Sequence, residues 1–160
     1  MAKGFIFIGK QETGKSRTSK VIKKYYENKT ILLDGRNFRG QKPSYFFRFC
    51  SPETKVIIID EIIKLKYLEY FMEFIPKGKI LVQPLNNKPY EIQIEKLIII
   101  CDSEINKTDL PQGASFLRRF EIIEFPNVNP ELIINNIINE SEMEISVKNN
   151  LLDNLSFLKK

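Results

Sequence analysis

Residues Phe5 to Ser16, FIFIGKQETGKS, join four apolar residues to a polar loop holding two glycines, two lysines and a serine. A short, unbroken apolar run of this kind reads as a strand covered on both faces. From Gly9 onward the spacing is G-x-x-x-x-G-K-S. The next residues, Lys15 to Glu27, put Val21, Ile22, Tyr25 and Tyr26 on one stripe with Lys20, Lys23 and Lys24 around it, as an amphipathic helix does. Glycines let such a loop curl so that successive N–H groups face an anion, and the helix N-terminus adds partial positive charge. In this pattern Lys15 reaches the outer phosphates and the Ser16 hydroxyl takes Mg²⁺. The stretch predicts a polyphosphate cradle built from Gly9, Lys10, Gln11, Glu12, Thr13, Gly14, Lys15, Ser16 and Arg17. The plainer reading is a strand-to-helix turn with a coincidental lysine.

Working outward, four more apolar runs rich in β-branched residues appear at Thr30–Leu33, Val56–Ile59, Leu97–Cys101 and Glu121–Phe125. Together with Phe5–Ile8 they are the signature of a parallel sheet flanked by helices. Short helices are expected over Pro43–Phe49 and Leu65–Phe74, the second stopped by Pro76 and Gly78. Lys79–Gln83 and Tyr90–Glu95 alternate apolar and polar residues on either side of PLNNKP, which predicts a β-hairpin inserted over about 79–95. The segment Asn127–Lys160 reads as one or two amphipathic helices.

The chain's 160 residues (18.8 kDa) fit one domain: a core over 1–126 and a helical tail over 127–160 belonging to it. No apolar run approaches the ~20 residues of a membrane helix, and the start MAKGFIFIGK is too short for a secretory h-region. The expectation is a cytoplasmic protein with no membrane contact. Cys50 and Cys101 make no metal-ligand spacing, and the absence of histidine excludes Ser-His-Asp and Cys-His catalysis. A net charge of +5 suits a polyanionic partner, and equally suits simple solubility.

Three further constellations bear chemistry. KVIIIDEI ends a buried strand on Asp60 and Glu61, the Walker B form, in which Asp60 holds Mg²⁺ and Glu61 polarises an attacking water. In isolation such acids are as well explained as a helix N-cap region. LIIICDSEI ends the fourth run on Asp102 and Ser103, either of which could orient that water or simply close a strand. GASFLRRFEIIEF places Arg118 and Arg119 before the fifth run, as a transition-state finger offered to a neighbouring subunit or as a solvated helix face.

Strand, Walker A, helix, strand, Walker B, hairpin, polar-ended strand, arginine-ended helix, strand: over Lys3 to about Phe125 this order resembles the AAA+ P-loop ATPases. It is most similar to the superfamily 3 helicase domains of small viral, phage and plasmid replication proteins. The resemblance implies a five-stranded parallel sheet in the order 5-1-4-3-2 with an inserted β-hairpin. It implies Mg²⁺-dependent ATP hydrolysis coupled to unwinding, translocation or remodelling of nucleic acid, single-stranded DNA being favoured, in the replication of a phage, plasmid or mobile element. ATP and Mg²⁺ are the implied cofactors, and a homo-oligomeric ring, hexameric if assembled, the implied partner state. Carried onto this sequence, Lys15, Glu61, Ser103, Arg118 and Arg119 are catalytic, and Ser16 and Asp60 hold the metal. Lys88 at the hairpin turn, with Lys77 and Lys79 beside it, contacts phosphates, and Tyr90 stacks on a base. Such helicases usually end the sensor strand in Asn, where this chain offers Asp102 or Ser103. The expected origin-recognition domain and helical collar do not precede the first strand in this sequence. Two other functions fit the same residues: a nucleotide-dependent switch or loader acting on a protein partner, and a small-molecule kinase.

Overall fold

The computed structural model describes residues 1–138 and 143–158. Seven strands form: β1 Lys3–Ile8, β2 Thr30–Asp34, β3 Val56–Ile62, β4 Lys79–Val82, β5 Tyr90–Gln93, β6 Lys96–Cys101 and β7 Phe120–Glu124. Five of them make one sheet in the order β2-β3-β6-β1-β7, and every pairing within it is parallel. Counting the five apolar runs along the sequence, this is 5-1-4-3-2 read from the β7 edge. The runs are continuous because both faces are covered. Phe5 and Phe7 point into one layer of core and Ile6 and Ile8 into the other.

The first layer holds α1, Lys15–Tyr26, through Ile22, together with the C-terminal segment. That segment opens with Asn129 capping Pro130–Leu132 (α5), where proline at the first helical position loses no needed N–H. A π-helical turn over Ile133–Ile138 follows and buries four isoleucines: Ile133, Ile134, Ile137 and Ile138. Ile145–Asn154 and a 3₁₀ turn at Ser156–Leu158 complete the described residues; we label the former α6. Residues 139–142 and 159–160 of the expected helical tail lie outside the described residues.

The second layer is aromatic. Phe38, Phe46, Phe47, Phe71 and Phe74 pack ring against ring, with Phe47 and Phe71 centroids 5.9 Å apart and Phe38 and Phe71 4.9 Å apart. These rings come from short pieces: Phe38 just after a 3₁₀ turn at Gly35–Asn37, Phe46 and Phe47 at the end of α2 Pro43–Phe46, Phe71 from a 3₁₀ helix at Leu65–Phe71 and Phe74 from α3 Phe74–Lys77. Here the sequence expectation needs correcting. Leu65–Phe74 is not one α-helix, because Tyr67, Leu68 and Phe71 can share a buried side in either winding and the tighter one forms. Pro76 does not stop a helix. It lies within α3, a single turn in which an N–H at that position would find no intrahelical acceptor, so the one that proline lacks is not missed. Gly78, at φ 64°, ends that turn in the left-handed region.

β4 and β5 pair antiparallel as their own two-stranded sheet, with Lys79 opposite Gln93 and Val82 opposite Tyr90. A lone hairpin is marginal in water. This one is held because Ile80, Val82 and Ile92 bury their side chains in the aromatic layer. α4, Ala114–Arg119, sits in the same layer through Phe116 and runs directly into β7.

Candidate functional site

The loop after β1 bends through three residues in positive φ: Gly9 at 147°, Glu12 at 62° and Gly14 at 103°. A Cβ on Gly9 would lie 2.8 Å from the Phe125 carbonyl oxygen, so glycine is required by space as well as by conformation. Gly14 caps α1, whose first turn has neither a side-chain cap nor an acidic residue. Its leading N–H groups therefore face solvent with the positive end of the helix dipole behind them, the arrangement that receives an anion. Thr13 Oγ1 donates to the Lys10 carbonyl at 2.7 Å and tightens the loop.

Lys15 is buried, its ammonium donating to the Gly9 carbonyl and, at 3.2 Å, to the Cys101 carbonyl. Burial lowers its pKa, opposed by the nearby Asp102, Asp60 and Glu61 carboxylates. Two carbonyls thus hold the ammonium at the edge where β1 and β6 end. Ser16 Oγ lies 3.2 Å and 3.4 Å from the two oxygens of Asp60.

Asp60 and Glu61 reach this edge through a β-bulge. β3 and β6 pair in register up to Ile59–Ile99, then shift so that Ile62 faces Cys101. The two acids between drop out of the pairing with β6, while Asp60 still pairs with Asp34 of β2, and Glu61 stands at φ 70°, uncommon for a residue with a side chain and recurrent at functional sites. A bulge re-aims side chains, and here it turns both carboxylates toward the loop. Gly35 makes this possible: a Cβ there would lie 2.8 Å from the Asp60 carbonyl oxygen and 2.8 Å from the Glu61 carbonyl carbon. Next to it, Arg36 pairs with Asp34 at 2.9 Å and with Glu61 at 3.5 Å. The Arg36 side chain, then its backbone N–H, hold the Asp34 carboxyl below the usual carboxylate range. Asp102 Oδ1 accepts from the Glu104 N–H at 2.8 Å, and Ser103 Oγ is 3.5 Å from the same oxygen.

These groups surround one cavity of about 680 Å³, within the ordinary range for small-molecule sites. Residues Gln11 to Arg17, Asp60, Glu61, Asp102 and Ser103 line it. Gly9 contributes its carbonyl to Lys15, and Lys10 lines a separate, smaller hollow. A divalent ion fits the donor set. Mg²⁺ takes one or two carboxylates and completes its shell with water and substrate phosphate; Asp60 and Ser16 supply that much. No cluster of three or more His, Cys, Asp or Glu occurs among the described residues, so such an ion would be shared with a nucleotide.

Arg118 and Arg119 stand at the other edge of the sheet. β7 starts at Phe120, opposite Gly4 at the beginning of β1, roughly 15–20 Å along the strand from the cradle at ~3.3 Å per residue. Arg118 is exposed and Arg119 half-buried, and neither lines the cavity. The hairpin residues also separate. Lys88 lies exposed in the turn, whereas Lys79 is at the hairpin's far end and Lys77 pairs with Glu73 at 3.2 Å, so Lys77 and Lys79 are not beside Lys88 as expected. Antiparallel register accounts for this, since the strand that separates Lys79 from the turn runs its whole length between them. Tyr90 is half-buried, and its hydroxyl donates to the Cys50 carbonyl at 2.5 Å.

Phe157 and Leu158 line the cavity without any mark in the sequence. They belong to the C-terminal turn and close over the loop, within 2.9 Å and 3.0 Å of where a Gly14 Cβ would be. The Arg17 guanidinium stacks on the Phe157 ring at 4.2 Å. Arg36 does not line the cavity but pairs with Glu61, which does; LLDGR, a strand ending in an acid-glycine-basic triplet, is its signal in the sequence.

No family model and no curated protein sequence matches this chain. Among solved structures, it is similar to the NrS-1 C-terminal region in two apo structures, at 21% identity with a TM-score of 0.56 and at 22% with 0.54. In each, 98% of this chain aligns with 35% of the other. It is also similar to JCV helicase, at 10% identity and a TM-score of 0.60, where 99% of this chain aligns with 51% of that protein. The fold is thus shared with the NrS-1 C-terminal region and with JCV helicase, and this chain spans about a third to a half of those proteins. No helix among the described residues is long and apolar enough to cross a membrane.

Proposed function

We propose that the chain is a Mg²⁺-dependent ATPase of superfamily 3, AAA+ type that couples hydrolysis to work on nucleic acid, single-stranded DNA above all. The observation that carries the proposal is the convergence of Lys15, the Ser16–Asp60 pair and Glu61 on one cavity at the mouth of α1. Phosphates enter the ring of N–H groups at Gly14–Arg17, and Lys15 exchanges its two carbonyl partners for the β and γ phosphate oxygens. Ser16 and Asp60 would hold Mg²⁺, which would supply charge neutralisation to the bound phosphates. Glu61 accepts a proton from the attacking water as the new P–O bond forms and the bond to the β–γ bridging oxygen breaks, releasing ADP and phosphate. Ser103 orients that water. Arg118 and Arg119 complete the site of an adjacent subunit in a ring, a hexamer by analogy, while Lys88 meets the nucleic-acid backbone. The fold shared with JCV helicase supports this reading.

The test is phosphate release by the purified chain with Mg²⁺ and ATP, with and without single-stranded DNA at low salt. Expected are hydrolysis stimulated by DNA and a silent Lys15→Ala variant. Wild type and Lys15→Ala giving the same rate would sink the ATPase; hydrolysis indifferent to DNA would leave the switch or loader function in place of the motor.

A further inference from the structure

Residues 35–51 carry Arg36, Arg39, Lys42 and Arg48 and no acid, interleaved with Phe38, Tyr45, Phe46, Phe47 and Phe49. The fold sorts these rings. Phe38, Phe46 and Phe47 are buried in the aromatic layer, whereas Tyr45 is 44% and Phe49 65% exposed. Between the two exposed rings lies the Arg48 guanidinium, 4.4 Å from the Tyr45 centroid and 4.6 Å from that of Phe49. One of its nitrogens donates to the Tyr45 carbonyl at 3.2 Å, and no carboxylate comes within ion-pair distance among the described residues. Two exposed flat rings therefore flank a half-buried flat cation, whose Nε is buried without a hydrogen-bond partner, on a base of packed aromatics.

The same segment flanks the hairpin turn. Ser44 accepts a hydrogen bond from the Gln83 N–H at 3.1 Å, and Cys50 accepts one from Tyr90. The turn over 83–89, with exposed Leu85 and Lys88 and no acid, thus springs from beside Tyr45 and Phe49. Cations without counter-charge suit a phosphate chain, and exposed π-faces suit unpaired bases, which stack on aromatics without regard to sequence. We infer that Tyr45, Arg48 and Phe49, continued by Leu85 and Lys88, form a stacking platform for a single nucleic-acid strand. The inference rests on the nucleic-acid part of the proposed function and assigns a surface to it.

The chain has no tryptophan, so Phe49→Trp installs a unique fluorophore at an exposed position. It is titrated with an oligothymidylate longer than the ~4–16 nucleotides that single modules cover, and binding by Phe49→Ala, Tyr45→Ala and Lys88→Ala is measured by anisotropy across a salt series. Expected are quenching of the tryptophan and affinity lowered roughly tenfold by Phe49→Ala with the salt slope unchanged. Lys88→Ala, by contrast, should reduce that slope by about 0.7. Wild type that binds while the two aromatic variants bind equally well and the tryptophan is unquenched would overturn the platform and leave the proposed function standing. The same holds for aromatic variants that bind DNA normally but lose self-association, which would assign the face to a second copy of the chain. Wild type that binds no oligonucleotide at low salt would overturn both.

Discussion

At the edge where β1, β3 and β6 end, the start of α1, the β3 bulge and the turn after β6 bring Lys15, Ser16, Asp60, Glu61, Asp102 and Ser103 around one cavity; at the edge where β1 and β7 begin, Arg118 and Arg119 stand with no carboxylate within ion-pair distance among the described residues. Cations at the first edge are engaged: Lys15 by two carbonyls, Arg36 by Asp34 and Glu61, Arg17 by the Phe157 ring. Those at the second are bound only locally, Arg118 through its Nε to the Ala114 carbonyl one turn back. A strand's length separates the two edges, so the arginines do not reach the cavity of their own chain. The difference teaches that the cavity and the two arginines, if they serve one function, can do so only where two copies meet.

Mixing experiments break or keep that comparison, and they carry the largest expected effect. Replacing Arg118 and Arg119 together by alanine should cost hydrolysis on the order of 10³-fold, the lower end of what an arginine finger supplies. Glu61→Gln should cost about 10²–10⁴-fold while nucleotide binding remains. Neither variant is active alone, yet their mixture should recover a measurable share of wild-type phosphate release, since some interfaces join an intact cradle to an intact arginine pair. A mixture as silent as its components would show that the second edge is a solvated helix end.

A smaller contrast uses two glycines. At Gly35 a Cβ would meet backbone on the Asp60–Glu61 bulge, and backbone cannot swing aside; at Gly113, before α4, a Cβ would meet nothing within 4 Å. Gly35→Ala should lower the urea midpoint by the equivalent of about 1–3 kcal/mol and reduce hydrolysis by displacing Glu61. Gly113→Ala should stay within about 0.5 kcal/mol. Equal effects would mean that the bulge tolerates movement and that its geometry is not what holds the acids.

What was legible follows the same division. The five strands and the loop at Gly9–Ser16 declare themselves locally, through continuous apolar runs and through glycines spaced for a curled backbone. Asp60 and Glu61 could be named because they end such a run, but the bulge that turns them could not, since it depends on how β6 pairs with β3. Phe157 lies more than a hundred residues from Arg17, and only the return of the C-terminal segment across the α1 face brings them together. The short windings at Leu65–Phe71 and Phe74–Lys77 were misread because their buried positions fit α and 3₁₀ periods alike. Tyr45 and Phe49 looked like part of the same apolar helix as Phe46 and Phe47; which rings face inward was decided by Phe38 and Phe71.

The smallest expected effect concerns Asp34. Its carboxyl is held low first by the Arg36 guanidinium, then by the Arg36 N–H, with slight burial opposing. A carboxyl depressed in the folded state adds stability that is present above its unfolded pKa, about 3.9, and is lost as pH falls through the folded value. Urea titrations of wild type and Asp34→Asn should therefore differ by a constant amount from about pH 6 down to about pH 4 and converge below. Both side chains of the pair are largely solvated, so added salt should shrink the gap. Arg36 also touches Glu61, and freeing it from Asp34 lets the guanidinium follow that carboxylate instead. A gap that persists unchanged at the lowest pH would mean that Asp34 acts through its turn geometry, accepting the Arg36 N–H as an asparagine also can, and that the charge at this corner of the cradle contributes nothing.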